Sequence, residues 1–542
     1  MTALAPARHV ESCSNDRVGA WSAVSGVALR RAALGMVLLV AALFRLPTLD
    51  GVPNGFFLDE ASRGYDAYSL LLTGADQYGA RWPLFAEGLD DYTPTLYTYL
   101  VLPFVAALGP TEAAVRLPAA LAGLATIGTT YLLGARMFGA WVGVGSSALL
   151  AVSPWHVLPS RTGAEWVLLP LFVTLGLWLL DRGRDDRRLL PAAGVVLGIG
   201  LYSYAFARIL IPLLVVGYAL LYWRAIQRHA AWAAGGAGVL LVLAVPVFAF
   251  SATPAGQARL RSVVPLDRLG PGEIPGYWAH NVLSYFSPDF LMWGSEPTHH
   301  HRLDGFGPLL PIMAPMALGG IALTLARPRR HGLFWLWWLV AAPASSALHR
   351  ESPSSALLLG AIPAWHVLAA VGGVRLVRLG AQWRPWAGRA SVALLVACWV
   401  VTGELAARAL YVDYPAYAAA DWEYGARDVV QFLEARRPAY DGVLVSDRLD
   451  TPHILVLFYA PIDPRVAQAS PIHVRQPNVR SRGEIGPYTF GRTADLLARS
   501  GRHLIWVRPD EQRASFPGRQ PVLEVRNPDG SLAHVVYAVE HE

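Results

Sequence analysis

The chain has 542 residues, of which 54% are hydrophobic and 15% charged, and its mean hydropathy is +0.36. This composition excludes an ordinary soluble enzyme, and many apolar runs are long enough to cross a bilayer. The formal net charge of +6 comes from arginine-rich loops between those runs, so it gives no argument for nucleic-acid binding. The composition therefore predicts a polytopic membrane protein.

The first apolar run covers residues 27–46. It is longer than the core of an export signal and has no small-residue cleavage site, so we interpret it as a retained helix. Further apolar segments lie at residues 94–109, 114–134, 139–157, 164–180, 189–206, 208–223, 231–250, 308–326, 333–348, 354–373 and 390–409.

Short arginine-rich loops near positions 181, 223, 326 and 375 are predicted to be cytoplasmic by the positive-inside rule. The loops at 47–113 and 251–307 then lie outside, as does the C-terminus. If the tail at 1–26 is cytoplasmic and the C-terminus lies outside, the number of crossings must be odd. The apolar segments number twelve with the first run, so one of them must not cross. The segment 94–109 is short and contains an internal proline, so it is predicted to be interfacial or re-entrant. About eleven transmembrane helices therefore make up residues 27–409, with juxtamembrane helices in the first outer loop.

Beyond residue 410 the hydrophobicity falls. The segment "DWEYGARDVVQFLEARRP" has helical spacing, whereas "DGVLVSD", "RHLIWVRP", "QPVLEVRN" and "AHVVYAVE" are typical of short strands between turns. Residues 410–542 are therefore predicted to form a small extracytoplasmic α/β domain.

An acidic pair, Asp59 and Glu60, follows the first apolar run in "GFFLDEASRGYDAYSLL". Apolar residues recur after it at helical spacing, which predicts an amphipathic helix along the membrane surface that begins at the pair. Two interpretations are open. The acids could cap the helix, or they could serve a functional site formed with other polar residues of the same side.

Candidate partners lie at the predicted outer ends of several segments, where an ionisable group needs a partner or a water-filled cavity. Interfacial snorkelling could explain any single arginine, but several independent segments favour a shared polar cavity. The candidate partners are Glu87, Asp90 and Asp91 in the first outer loop, and Arg161, Glu165, Tyr202, Tyr204, Arg208, His349, Arg350 and Glu351 in later ones.

Carboxylates beside arginines suit one type of reaction. A carboxylate can take the proton of an attacking hydroxyl, while a guanidinium binds a phosphate that departs with negative charge. Because phosphate is a good leaving group, no general acid is obligatory, in contrast to ordinary glycosidases.

The chain resembles the GT-C integral membrane glycosyltransferases, specifically the family 39 group that includes protein O-mannosyltransferases and aminoarabinose transferases of lipid A. The resemblance covers about the first 370 residues. It rests on the order and spacing of "FFLDEASRGYDAYSLL", "EGLDDYTPTLYTYLVLPFVAALGPTEAAVRLPAAL", "SPWHVLPSRTGAEW" and "NVLSYFSPDFLMWG" followed by "GFGPLL". It implies a polyprenyl-phosphate sugar donor, an extracytoplasmic active site and inversion at the anomeric carbon.

By this resemblance Asp59 is the catalytic base, Glu60 is its neighbour, and Asp91, or alternatively Asp90, is the second acidic position. Arg161 matches the arginine of the "SR" motif, as a donor-phosphate or structural partner. Many relatives carry lysine where this chain has Thr93, so Arg208 or Arg350 would have to contact the phosphate instead.

We therefore predict an inverting glycosyltransferase that moves a sugar from a polyprenyl-phosphate donor to a hydroxyl acceptor. It is expected in the plasma membrane of a bacterium, with Glu165, Tyr204 and His349 among its substrate-binding residues. The alternatives are a transporter or flippase of a lipid-linked sugar and a scaffold whose outer domain binds a partner. No cofactor is assigned and a divalent metal is left open. The "THHHR" run at 298–302 is interpreted as a solvated loop rather than a metal site.

Overall fold

The computed structural model describes residues 12–89, 92–265, 267–294, 299–470 and 482–541. Up to residue 408 the described chain is mainly helical, as long apolar segments must be to satisfy their backbone hydrogen bonds within a bilayer. The helices of this part are α1 (Ser12–Arg45), α2 (Leu58–Thr73), α3 (Leu96–Leu108), α4 (Glu112–Phe138), α5 (Ala140–Ala151), α6 (Pro154–Val157), α7 (Leu168–Arg182), α8 (Leu189–Gly200), α9 (Ala207–Gln227), α10 (Ala230–Ser251), α11 (Pro254–Val263), α12 (Ile274–Ser284), α13 (Pro288–Trp293), α14 (Met313–Ala326), α15 (Arg330–Ser346), α16 (Ile362–Trp383) and α17 (Pro385–Arg408).

Within the described residues, 6 helices are long and apolar enough to cross a membrane. Helix α5 and the helical segment Pro154–Arg161 meet at an angle of 73°, and they would make a seventh span if they cross together. Shorter apolar helices include α3, α8 and α14. These criteria rest on length and composition, so the predicted total of eleven spans stays a prediction. Helix α3 has 13 residues, about 20 Å of helix, which is shorter than a hydrocarbon core of about 30 Å and agrees with the non-crossing assignment.

The first long loop folds into α2, the antiparallel pair β1 (Phe85–Glu87) and β2 (Tyr92–Pro94), and α3. Helix α2 begins where expected, one residue before Asp59. The backbone N–H of Phe57 donates to Oε2 of Glu60 over 3.2 Å, so Glu60 caps the helix start. The helix ends at Thr73 and is capped by Gly74, whose φ of 71° gives the left-handed conformation that glycine adopts without strain.

After α17 the chain makes short helical turns, including α18 (Tyr414–Tyr417), and then forms a six-stranded mixed sheet. The predicted helix and all four predicted strands are present. The helices of this C-terminal domain (residues 410–541 as described) are α19 (Ala426–Arg436), α20 (Pro452–Tyr459), α21 (Pro464–Ala469), α22 (Thr493–Leu497) and α23 (Gln512–Ser515). Its strands are β3 (Gly442–Ser446), β4 (Gly483–Ile485), β5 (Tyr488–Gly491), β6 (Gly501–Val507), β7 (Leu523–Arg526) and β8 (Leu532–His541).

The strand order is β4-β5-β3-β6-β8-β7, and the central strand β3 runs parallel to both neighbours. One face of the sheet does not form a separate core. It shares one hydrophobic cluster with α2, α3 and α4, in which Leu58 and Tyr65 of α2 pack with Phe458 of α20 and Trp506 of β6. Burial of this common apolar surface fixes the C-terminal domain onto the first long loop.

Candidate active site

A cavity of about 420 Å³ lies between the first long loop, the helix ends beside it and the C-terminal domain. It is large enough for a sugar-sized ligand. Its wall is formed mainly by polar side chains and rings from segments far apart in sequence. The lining residues include Phe57, Asp59, Glu60, Ser62, Arg63, Asp66, Thr93, Thr98, Thr162, Glu165, Trp166, Tyr204, His300, His301, His349, Glu351, Trp422, Asp450 and Thr451.

Asp59 stands at the mouth of this cavity with 46% of its side chain exposed. Its Oδ2 atom lies 3.6 Å from Nη2 of Arg63, one helical turn further along α2. Arg63 also forms an ion pair with Glu165 and donates to the carbonyl of Gly163 over 3.3 Å. Although burial opposes it, the carboxylates of Glu165 and Asp59 raise the pKa of Arg63 above its ordinary value, so the guanidinium stays charged.

Glu60 has a different environment from its neighbour. It is buried, and its two oxygens accept from Nε and Nη2 of Arg116 over 2.9 and 2.8 Å. A third donor is the backbone N–H of Gly163. Arg116 also binds the carbonyls of Leu49 and Pro53 over 2.9 and 3.0 Å. The pair therefore has the geometry of a buried structural clamp.

Asp66 occupies the same face of α2, two turns beyond Asp59. It is buried and accepts from the backbone N–H of Gln77 over 3.0 Å, and Gln77 in turn donates to Ser62 over 2.9 Å. Burial, together with the nearby charge of Asp76, raises the pKa of Asp66 to about 8. The cavity thus presents one carboxyl that is neutral near pH 7 and another, Asp59, beside a cation.

The histidine run is not the solvated loop that the sequence suggested. His299 contacts a carboxylate oxygen of Asp421 at 2.7 Å, His300 packs against Phe57 at 4.2 Å between ring centres, and His301 lies against Trp166 at 5.4 Å. His300 also contacts the backbone carbonyl of Asp421, so the loop is held between the cavity and the segment before α19. Among the described residues, no group of three or more His, Cys, Asp or Glu could hold a metal ion.

Arg161 is buried, and its guanidinium is occupied by other groups. It binds the carbonyls of Phe44, Pro47 and Val52 over 3.1, 2.7 and 3.0 Å and the hydroxyl of Tyr411 over 3.1 Å. It is not among the cavity-lining residues. Of the two roles that the sequence left open, the geometry matches the structural one.

The other predicted cations also lie outside the cavity wall. Arg350 pairs with Asp267 at 2.5 Å. Arg208 stacks over Phe85 at 5.6 Å and donates to Ser251 over 2.9 Å, while its Nε has no hydrogen-bond partner among the described residues.

The predicted acids Asp90 and Asp91 lie outside the described residues. Glu165, Tyr204 and His349 line the cavity together with Asp59, so four segments of the chain do meet there.

Sequence reasoning missed contributors from two parts of the chain, α2 and the C-terminal domain. Arg63 supplies the guanidinium on the cavity wall, and its position four residues after Asp59 on a predicted helix was a usable signal. Asp450 and Thr451 come from the C-terminal domain, and no local pattern marked them.

Comparison with known proteins agrees with this architecture. Residues 93–250 match the family model described as dolichyl-phosphate-mannose-protein mannosyltransferase. The structure resembles ArnT from Cupriavidus metallidurans bound to undecaprenyl phosphate, with a TM-score of 0.56 and 18% identity over 95% of this chain and 98% of that one. It also resembles AglB from Archaeoglobus fulgidus in complex with an inhibitory peptide and a dolichol-phosphate, with a TM-score of 0.51 and 14% identity over 80% of this chain and 63% of that one. No curated protein matches the chain by sequence.

The chain is therefore a membrane protein with the GT-C glycosyltransferase fold. The predicted resemblance to the protein mannosyltransferases is confirmed over residues 93–250, which match the family model.

Proposed function

We propose that the protein is an inverting glycosyltransferase that moves a sugar from a polyprenyl-phosphate donor to a hydroxyl acceptor on the extracytoplasmic face. The observation that carries the proposal is the placement of Asp59, a half-exposed carboxylate beside Arg63 at the mouth of a sugar-sized cavity. The lipid phosphates bound by ArnT and AglB support a donor of this class.

In the proposed reaction Asp59 accepts the proton of the acceptor hydroxyl. The freed oxygen attacks the anomeric carbon, and the bond from that carbon to the phosphate oxygen breaks on the opposite side with its electron pair leaving on the phosphate. Arg63 lies beside this carboxylate and fixes its direction.

The departing phosphate requires a cation. All three nitrogens of the Arg161 guanidinium bind backbone or hydroxyl oxygens, so Arg208 is the better candidate. Its Nε lacks a partner among the described residues. Arg208 lies in the first turn of α9, four residues after the cavity-lining Tyr204. A guanidinium at the end of a membrane helix suits a phosphate whose lipid tail stays in the bilayer.

The test replaces Asp59 by Asn, which keeps size but removes the base. Cells that lack the protein would be complemented with the wild type, with Asp59→Asn or with Asp495→Asn, an exposed acid of α22 remote from the cavity. Mass spectrometry of lipids and glycans should show loss of product and accumulation of the polyprenyl-phosphate sugar for Asp59→Asn only. Full transfer by a normally folded Asp59→Asn protein would remove this mechanism.

A further inference from the structure

The C-terminal domain contributes directly to the cavity wall. Trp422 precedes α19, and Asp450 and Thr451 lie in the loop between β3 and α20; all three line the cavity. Thr451 is buried, whereas Asp450 is exposed at the mouth. The hydroxyl of Thr451 donates to Oδ1 of Asp450 over 3.0 Å, which orients the carboxylate.

The position of this loop follows from the sheet. Strand β3 has a parallel neighbour on each side, and in α/β sheets ligands bind at the carboxyl ends of parallel strands, where connections leave in opposite directions. The loop that carries Asp450 is the one that leaves the carboxyl end of β3. The edge of the sheet that usually binds ligands therefore faces the cavity.

Close helix packing fixes the loop relative to Asp59. Helix α20, which starts directly after Thr451, packs against α2, and Gly64 of α2 makes this possible. A Cβ atom at Gly64 would lie 2.5 Å from the ring of Phe458 and 2.7 Å from Val115. Asp59 and Asp450 thus belong to two helix starts that are locked together by a shared core.

The charges at the mouth of the cavity restrict which acceptors can bind. Among the described residues, Glu351 and Asp450 form no ion pair with arginine or histidine, in contrast to Glu60 and Glu165. Both carboxylates line the same cavity as Asp59. An acceptor with a negative charge near its reacting hydroxyl would meet repulsion from them, whereas a neutral or amine-bearing polyol would not.

We infer that Asp450 and Thr451 are acceptor-binding residues, and that they select a polyol or amino sugar without negative charge near the attacking hydroxyl. This inference rests on the proposed glycosyltransferase function and assigns the C-terminal domain a part in its specificity. The loop binds the acceptor from the domain side while the donor approaches from the membrane side.

The experiment uses full-length protein in lipid nanodiscs, with a membrane extract of cells lacking the protein as the source of donor and acceptor. Glucosamine, glucose and glucuronate serve as soluble probes that compete with the native acceptor. For the wild type, glucosamine should inhibit about fivefold more strongly than glucuronate, with glucose between them. In Asp450→Asn this difference should fall to about twofold or less.

Thr451→Gly provides a second variant that is expected to fold, because Thr451 has a φ of 43° and glycine adopts that conformation more easily. It should raise the acceptor concentration needed for half-maximal transfer without lowering thermal stability. Asp495→Asn is the matched surface control.

The two proposals fail in different ways. If the wild type transfers no sugar from the donor, the proposed function is wrong, and if Asp59→Asn keeps full transfer, the proposed role of Asp59 is wrong. If Asp59→Asn stops transfer but Asp450→Asn and Thr451→Gly leave transfer and the order of inhibition unaltered, the acceptor inference alone is wrong. Equal inhibition of the wild type by the three probes would also contradict it.

Discussion

Asp59 and Arg63 lie one turn apart on α2, with 3.6 Å between Oδ2 and Nη2, and Arg63 is in turn held by the buried Glu165. Of these three charged residues, only Asp59 has a half-exposed side chain. An acid placed this way keeps one side open to a substrate while its orientation is fixed from the other side.

Replacement of Arg63 by Gln should lower both stability and transfer. It leaves Glu165 buried without its cation, which costs about 3–5 kcal/mol. The double variant Arg63→Gln/Glu165→Gln should recover most of the stability but little of the transfer, since Asp59 still lacks its partner. Thermal unfolding and initial rates measured on the same preparations check this. Recovery of transfer in the double variant would show that Arg63 acts only in folding.

Replacement of Glu60 by Ala should act mainly on folding. It removes the carboxylate that neutralises the fully buried Arg116, again at a cost of about 3–5 kcal/mol. The yield of monodisperse protein in size-exclusion chromatography should fall, and the activity of the folded fraction should fall less than in Asp59→Asn. Normal stability with complete loss of transfer would instead give Glu60 a direct catalytic part.

Gly64→Ala should destabilise the contact between α2 and α20, because the new methyl group overlaps the Phe458 ring. Overpacking of this kind typically costs about 1–3 kcal/mol. The second substitution Phe458→Leu creates space and should restore part of the loss. Limited proteolysis of the C-terminal domain measures the contact. Equal protease sensitivity of the wild type and Gly64→Ala would contradict the predicted clash.

The pH dependence of stability should carry a contribution from Asp66. Its pKa is raised to about 8 by burial, whereas an unfolded aspartate titrates near about 3.9. The folded state therefore holds a proton that the unfolded state has lost, and stability falls as pH rises from about 4 to about 8. Asp66→Asn should lose this contribution to the pH dependence of stability. The difference in Tm between pH 5 and pH 8 should therefore be smaller for Asp66→Asn than for the wild type. Asp495→Asn should keep the wild-type difference.

If the proposed donor class is right, Arg208→Gln should weaken binding of the probe undecaprenyl phosphate by about tenfold or more, which corresponds to loss of a hydrogen bond to a charged group. Arg261→Gln is the matched control, because Arg261 is exposed on the neighbouring α11. Titration of the lipid phosphate in nanodiscs, followed by tryptophan fluorescence, gives the two affinities. Equal affinity of both variants would exclude Arg208 as the phosphate ligand.

The general architecture was predictable because apolar length and alternating polarity are local properties of a sequence. They indicated apolar helices of the membrane part, the start of α2 and four of the six described strands of the C-terminal domain. The meeting of Asp59 with Glu165, Tyr204 and His349 was also predictable, since all were expected at one end of their segments.

Other features depended on contacts that no local pattern encodes. Distant segments decide whether an arginine lines a cavity or binds backbone carbonyls. Arg63 does the first and Arg161 the second. Likewise, the shared core that brings Asp450 to the cavity forms only when α20 packs on α2. The short hairpin β4–β5 and helix α20 were missed for the same reason, because burial by tertiary packing determines them.

The shell of oxygens around Arg161 also has an implication for biogenesis. Nη1 of Arg161 donates both to the carbonyl of Phe44, at the end of α1, and to the hydroxyl of Tyr411, just after α17. Tyr411 is synthesised 250 residues after Arg161, so this guanidinium exists before its last ligand does. The shell around Arg161 is therefore completed only when the segment after α17 has been made and has folded back onto the end of α1.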